Sequence, residues 1–209
     1  MPHQPRIFVP GLSHHVYRRG HNHCAIVRDD DDRRSFLRLI RNSATTNDTL
    51  VHGYSLMDTH YHMIVTPGHE GALSEMMKAI GEQYVDYFNR KYDRLGTLWA
   101  GRFRSPAIWD ERYWLTCLRY VELNAVAAGM VIAPEDYRWC SYGVHACGEP
   151  SEWLTSHSLY LALGSTPEER QSAYREFCGM PLSEHQLVMP PLPRSVSDPG
   201  QTAVGLTRA

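Results

Sequence analysis

Two short runs of strand-forming residues lie side by side near the middle of the chain, and they constrain the fold more than any other feature. LVHGYSLM (50–57) and HYHMIVT (60–66) are rich in β-branched, aromatic and other apolar residues, and only Asp58 and Thr59 separate them. A connection of two residues joins antiparallel neighbours in a sheet. The sequence therefore predicts a β-hairpin here, around which the other elements must pack.

Further strand-like and helix-like runs flank this hairpin. A first strand is predicted to begin at about Ser13, and FRSPAIW (103–109) is predicted as a fourth strand that Pro106 would restrict to an edge of the sheet. Between the first strand and the hairpin, DDDDRRSFLRLIRNSA (29–44) has the acidic start and the apolar spacing of a helix.

Two longer helices are predicted after the hairpin. Residues 71–92 have helical spacing, with inward positions at Leu73, Met76, Met77, Ile80, Tyr84 and either Tyr87 or Phe88. Residues 111–129 form the other helix, which Gly129 would stop and whose core stripe is Trp114, Leu118, Val121, Ala125 and Ala128. The element order predicts an α+β fold: a ferredoxin-like βαββαβ antiparallel sheet with helices on one face, then the helix at 111–129 and a helical or irregular extension.

The length and composition bound the domain organisation. A chain of 209 residues suffices for one domain and a short extension, which we predict at 1–145 and 146–188, with a disordered Pro/Ser/Gly-rich tail at 189–209. No apolar run approaches the roughly 18 residues that span a membrane, and no secretory signal is evident. The five cysteines include no CxxC pair, which favours a reducing, cytoplasmic location.

The charges are unevenly distributed. The formal net charge of −2 argues against a large nonspecific surface for nucleic acid. Positive charge is nevertheless concentrated within 15 residues, at Arg90, Lys91, Arg94, Arg102 and Arg104. A local basic patch is compatible with a near-neutral total, and an ordinary solvated face is the alternative.

Two histidines share one face of the second hairpin strand. Side chains on a strand alternate between its faces, so His60 and His62 point away from Tyr61, Met63 and Val65, which should contact helices. The two imidazoles are about 7 Å apart along the strand, where both can turn toward one ion. Ordinary hydrogen-bonded core histidines are the alternative, because the pair alone is a weak signal.

Tyr120 and Asn124 lie four residues apart on the predicted helix at 111–129, so they are neighbours on its surface. Two imidazoles and an amide oxygen would leave coordination positions free on a divalent ion, which could then polarise a phosphodiester oxygen. A tyrosine beside that ion could attack phosphorus and form a covalent phosphotyrosine. A surface pair, or a tyrosine that only packs, is the alternative.

These residues resemble the single-tyrosine HUH transposases, and within them the REP-associated tyrosine transposases. His60-Tyr61-His62 is similar to the family's HUH motif, and residues 120–126 (YVELNAV) resemble its Y-I-x-x-N-P-V motif. Three further segments resemble family segments in the same order. They are HHVYRRG (14–20), residues 84–105, which end in GTLWAGRFRS, and DYRWCSY (136–142). The resemblance covers roughly residues 10–145.

The resemblance implies a chemistry and a partner. Tyr120 would be the nucleophile, and the helix at 111–129 would be the catalytic helix. His60, His62 and Asn124 would be the ligands of Mg²⁺ or Mn²⁺. Family members act on single-stranded DNA, often near a short hairpin, and include monomers and homodimers. Two motifs depart from the family: Asp58-Thr59 replaces Pro-Asn, and Asn-Ala-Val-Ala at 124–127 replaces Asn-Pro-Val-Arg.

The basic, aromatic segment at 84–105 then has a predicted role. Arg90, Lys91, Arg102 and Arg104 would bind phosphates, and Trp99 would stack on an unpaired base, with core packing as its alternative. Three functions remain: a metal-dependent strand transferase, a transposase-derived DNA-binding protein that no longer cleaves, and a small metallohydrolase that needs no tyrosine.

Overall fold

The computed structural model describes residues 8–181, so the predicted tail at 189–209 lies outside the described residues. The strands are β1 (His14–Arg19), β2 (Thr49–Leu56) and β3 (His60–Pro67). The helices are α1 (Asp30–Thr46), α2 (Ala72–Lys91), α3 (Glu111–Glu122), α4 (Asn124–Ala127), α5 (Tyr142–Cys147), α6 (Ser158–Leu161) and α7 (Pro167–Gly179). Within this part of the chain, no helix combines the length and hydropathy needed to cross a bilayer.

The sheet is antiparallel, with β3 in the centre and the strand order β1-β3-β2. The predicted hairpin is confirmed: the Met57 N–H donates to the His60 carbonyl at 2.9 Å, and only Met57, Asp58 and Thr59 lie between the strands. The α+β fold class is therefore confirmed, and the central position of β3 places both of its histidines away from the sheet edges.

The predicted fourth strand is an irregular edge segment. It runs antiparallel beside β1, where the N–H groups and carbonyls of Tyr17 and Arg104 exchange two hydrogen bonds of 2.9 Å. Only isolated bridges form, and Pro106, which has no N–H to donate, accepts from His15 through its carbonyl. The segment occupies the predicted edge and brings Arg104 alongside β1.

Helices α1 and α2 cover one face of the sheet. Tyr61, Met63 and Val65 of β3 point into this core, as the alternation of the strand predicts. The inward side of α2 is also as predicted, with Phe88 fully buried and Tyr87 only partly buried. The pattern of apolar spacing thus identified this layer correctly.

The opposite face of the sheet is covered by α3 and by the C-terminal extension. Ile64 of β3 packs in this second core with Trp114, Leu118 and Val121 of α3. Helix α5 spans the boundary predicted between residues 145 and 146, and the same core includes buried residues of α6 and α7. The histidine-bearing face of β3 therefore looks toward α3.

The helix predicted at 111–129 is broken, which is a correction to the sequence-based expectation. Helix α3 ends at Glu122, Leu123 adopts φ −86° and ψ 6°, and the short helix α4 begins at Asn124. Ala128, predicted in the core stripe, is exposed beyond this break, while Gly129 ends the helical region with φ +67° as predicted.

Candidate active site

Strand β3 and the junction of α3 with α4 bring together the four residues with predicted chemistry. The ring centroids of His60 and His62 are 5.1 Å apart, and His60 Nε2 lies 3.4 Å from Asn124 Oδ1. The ring of Tyr120 stands edge-on to His62, with 5.7 Å between the centroids. The break at Leu123 thus leaves Tyr120 and Asn124 beside the same pair of histidines.

Neighbouring polar groups orient both imidazoles. His62 Nδ1 is hydrogen-bonded to His15 Nε2 at 2.8 Å inside the protein, and His60 Nδ1 lies 3.1 Å from Thr59 Oγ1. Because the Nδ1 atoms are engaged, the Nε2 atoms are the ones left to bind a ligand. His15 was missed at the sequence level, although HHVYRRG contains it and the pairing of β1 with β3 puts it on the His62 face.

Burial keeps these imidazoles neutral. Burial lowers the pKa of His15 to about 4 and lowers the pKa of His62 well below its usual value, with His15, His60 and Arg19 adding to the effect on His62. Burial also lowers the pKa of His60, an effect that Asn124 opposes through its hydrogen bond and that Arg19 reinforces. The neutral imidazole is the form that binds a metal ion.

The donors at this site fit a divalent cation. Both imidazoles present Nε2, and the 3.4 Å contact of His60 Nε2 with Asn124 Oδ1 is too long for a strong hydrogen bond. Within residues 8–181 no group of three or more His, Cys, Asp or Glu side chains is arranged to hold a metal. The amide oxygen of Asn124 is the oxygen nearest to His60 Nε2, and two imidazoles with one amide oxygen would leave positions on a cation for water or phosphate oxygens.

A cleft of about 660 Å³ opens beside the histidines and Tyr120. The cleft is also lined by Tyr17, Arg18 and Arg19 of β1, by Arg104 of the edge segment, and by Ala100, Gly101 and Arg102 just before that segment. No carboxylate lines the cleft, and in the described part of the chain none of the four arginines forms an ion pair. The cleft is therefore a site of uncompensated positive charge in a chain whose net charge is −2.

Three of the predicted DNA-binding residues do not line this cleft. Arg90 pairs with Asp86 one turn earlier on α2. Lys91 Nζ lies 2.8 Å from carboxylate oxygens of both Asp29 and Asp32. These carboxylates already neutralise the two cations, so phosphate binding by Arg90 and Lys91 is not supported by their surroundings.

Trp99 is only 4% exposed, and its ring packs against Phe36, Tyr61 and Tyr84 in the first core. The guanidinium of Arg18 lies 4.7 Å from its ring centroid. The expectation that Trp99 stacks on a base does not fit this placement, and the alternative of core packing does. Of the five predicted DNA-binding residues, the structure brings Arg102 and Arg104 to the cleft, and it adds Arg18 and Arg19.

A buried carboxylate fixes α3 immediately after Tyr120. Glu122 is 0% exposed, and Oε1 accepts hydrogen bonds from Ser141 Oγ and, at 2.7 Å, from His145 Nδ1. Tyr174 of α7 donates its hydroxyl hydrogen to Oε2 at 2.7 Å. The carboxylate therefore joins the helix that bears Tyr120 to the C-terminal extension.

A second contact fixes the other flank of Tyr120. Arg119 is 3% exposed and donates to the carbonyls of Cys178, at 2.9 Å, and Met180. Its guanidinium also lies 5.3 Å from the ring centroid of Phe177. Residues on both sides of Tyr120 are thus held by the C-terminal extension.

Comparisons with known proteins place the chain among transposases. The model of the IS200-like transposase family matches residues 9–128. The search of curated proteins gives no significant match. A solved REP-associated tyrosine transposase bound to a REP hairpin is 17% identical, with a TM-score of 0.61, covering 76% of this chain and 96% of its own. This likeness shows a shared fold.

Two further structures are similar at lower TM-scores. A proposed transposase of Deinococcus radiodurans is 17% identical, with a TM-score of 0.41, covering 58% of this chain and 96% of its own. The tRNA(His) guanylyltransferase of Saccharomyces cerevisiae is 12% identical, with a TM-score of 0.45, covering 85% of this chain and 82% of its own.

Proposed function

The chain belongs to the IS200-like transposase family, and from that premise we propose that it cleaves and rejoins single-stranded DNA with Tyr120 as the nucleophile. His60, His62 and Asn124 would hold Mg²⁺ or Mn²⁺. The observation that carries this proposal is the meeting of Tyr120 with His62, at 5.7 Å between ring centroids, in a cleft of unpaired arginines. Phenol, metal ligands and cations are the groups that transfer of a DNA strand to a tyrosine requires.

The covalent step exchanges one phosphate ester for another. Tyr120 Oη attacks the scissile phosphorus and releases its proton to solvent, while the bond from phosphorus to the 3′-oxygen breaks and that oxygen takes up a proton. The products are a 5′-phosphotyrosine and a free 3′-hydroxyl. Attack of a 3′-hydroxyl on the phosphotyrosine reverses the step, and no external energy source is needed because the ester bond is conserved.

The protein groups around Tyr120 have distinct tasks in this step. When bound, the divalent ion would polarise a non-bridging phosphate oxygen and offset the charge that develops on it. His15 fixes the ring of His62 through the 2.8 Å hydrogen bond, and Thr59 contacts His60. Arg19 and Arg104 line the cleft and would bind phosphates on either side of the reacting one.

We propose a strand that carries a short hairpin as the substrate. The fold neighbour with a TM-score of 0.61 is a transposase bound to a REP hairpin, which motivates this choice. The test uses single-stranded oligonucleotides that carry the hairpins flanking this protein's own gene. Wild-type protein with Mn²⁺ is expected to give an SDS-resistant protein–DNA band, and EDTA is expected to remove it.

Each alternative function predicts another outcome. Hairpin binding without any band in Mn²⁺ would replace strand transfer by the non-cleaving DNA-binding function, and would direct attention to Asp58-Thr59 and residues 125–127. Metal-dependent cleavage without a covalent band would favour a metallohydrolase that activates water.

Loss of a proposed metal ligand should weaken metal binding in the absence of DNA. We expect His60→Ala and Asn124→Ala each to weaken Mn²⁺ binding by at least about tenfold, because each removes one of three protein donors. Isothermal titration calorimetry on full-length protein measures this directly. His69→Ala is the matched control, since His69 is exposed just after β3; equal affinities for all three variants would refute the site.

The unpaired arginines should determine the salt dependence of DNA binding. We expect Arg19→Ala and Arg104→Ala each to reduce the slope of log affinity against log salt concentration by about 0.7 for single-stranded DNA. Fluorescence anisotropy between low and moderate salt measures the slope. Arg34→Ala, which removes an exposed arginine paired with Asp31 at 2.7 Å, should leave it unchanged. A similar slope for all variants would exclude the cleft as the phosphate-binding surface.

A further inference from the structure

A second groove lies next to the active-site cleft. It runs between α2 and the segment at 96–103 and has a volume of about 700 Å³, a size that accommodates a small organic group. Arg18 and Arg102 line both this groove and the cleft. The two depressions are therefore adjacent, with these two side chains between them.

The wall shared by the two depressions is cationic and fixed in place. Arg18 Nε donates to the Gly101 carbonyl at 2.9 Å, and its guanidinium lies over the ring of Trp99. Gly81 of α2 leaves room for this arrangement, because a Cβ atom there would lie only 2.9 Å from Arg18 Nη1. Arg18 is only partly exposed, yet within residues 8–181 no carboxylate pairs with it. A half-buried guanidinium without an anion suits a ligand that brings one.

The groove beyond this wall is lined by apolar side chains and by three charged ones, the cation of Lys78 and the carboxylates of Glu82 and Asp86. Met77, Val85 and Trp99 contribute apolar surface. Glu82 and Asp86 also line the groove, and Asp86 already pairs with Arg90. Together with Lys78 these carboxylates leave no net positive charge beyond the arginines to bind a second phosphate, whereas the apolar surface suits a flat, uncharged ring.

A nucleotide of single-stranded DNA combines the two required features, an anionic phosphate and an uncharged aromatic base. We propose that the groove between α2 and residues 96–103 holds one unpaired base of the DNA strand, while its phosphate lies on Arg18 and Arg102. The proposal rests on the proposed DNA substrate and gives the strand a path out of the cleft toward α2. The sequence predicted that Trp99 would stack on a base. In this proposal the groove as a whole contacts the base instead.

Two exposed positions on α2 allow a matched test. Ser74 lines the groove and Gln83 does not, and both are exposed. Ser74→Glu and Gln83→Glu therefore each add one negative charge to the same helix, but only the first adds it inside the groove. Binding is measured by anisotropy with full-length protein in EDTA, so that no strand is cut, using a hairpin oligonucleotide with single-stranded flanks.

An abasic scan of those flanks identifies the bound base. For the wild type, one abasic position should weaken binding by about tenfold. Ser74→Glu should weaken binding to the intact oligonucleotide by a similar factor and remove the penalty at that abasic position, whereas Gln83→Glu should behave as the wild type. A penalty that persists in Ser74→Glu, or equal effects of the two variants, would overturn the groove assignment.

The result is separable from the proposed chemistry. If the wild type forms the covalent band but Ser74→Glu binds DNA like Gln83→Glu, only the groove assignment fails. If the wild type binds none of the oligonucleotides, the proposed DNA substrate fails and the groove assignment fails with it.

Discussion

Tyr120→Phe will abolish the covalent protein–DNA band, with a fall in yield of about a thousandfold or more, because no other group can replace a missing nucleophile in the same position. Binding of the hairpin oligonucleotide should change by less than about twofold, since the ring that contacts His62 and His15 is retained. Quantifying the SDS-resistant band beside anisotropy measurements on the same preparation separates the two effects.

Tyr113→Phe is the control for this variant. Tyr113 lies on the same helix two turns earlier and does not line the cleft. Its replacement should leave the band at the wild-type level. A band of normal intensity in Tyr120→Phe would contradict the assignment, and Tyr17, the other phenol in the cleft, would then be the next residue to replace.

Glu122→Ala will lower the free energy of unfolding by about 3–5 kcal/mol, because it removes the shared acceptor of several buried hydrogen bonds. The carboxylate accepts from Ser141, His145 and Tyr174, and alanine leaves all three donors buried without it. Urea unfolding followed by circular dichroism measures the change. Glu122→Gln should lower the free energy of unfolding by less than Glu122→Ala, because glutamine keeps the side-chain volume and one carbonyl acceptor.

Glu152→Ala provides the comparison on the surface. Its side chain is 83% exposed and pairs with Arg41, so its loss should cost less than about 1 kcal/mol. If Glu122→Ala and Glu152→Ala destabilised the protein equally, the buried network would not be what holds α3. The expected difference also predicts weaker covalent adduct formation by Glu122→Ala at temperatures where its native fold is still populated.

Local patterns in the sequence predicted the elements that depend on local interactions. The hairpin at 50–66 follows from two adjacent strand-forming runs, and α1 and α2 follow from apolar spacing with favourable ends. The convergence of His60, His62, Tyr120 and Asn124 was also anticipated, from strand alternation and from resemblance to a family. The hairpin and the helices require little knowledge of how distant segments meet, and for the four site residues the resemblance supplied that knowledge.

The features that were missed depend on distant segments. Lys91 is neutralised by Asp29, 62 residues earlier, and His15 reaches His62 across 47 residues. The break at Leu123 precedes an asparagine, a residue that favours helix ends, but nothing in the local spacing required it. For Trp99 the sequence left base stacking and core packing open, because its burial among Phe36, Tyr61 and Tyr84 depends on contacts with distant segments.

The contacts of Arg119 and Glu122 also bear on the order in which the protein acquires activity as the ribosome makes it. Synthesis proceeds from the N-terminus, so β1, the hairpin and α3 emerge first. The partners of Arg119 and Glu122 in α7 and at Met180 emerge about 50 or 60 residues later. A nascent or prematurely terminated chain can therefore contain every proposed catalytic residue and still lack the contacts that join the tyrosine helix to the C-terminal extension.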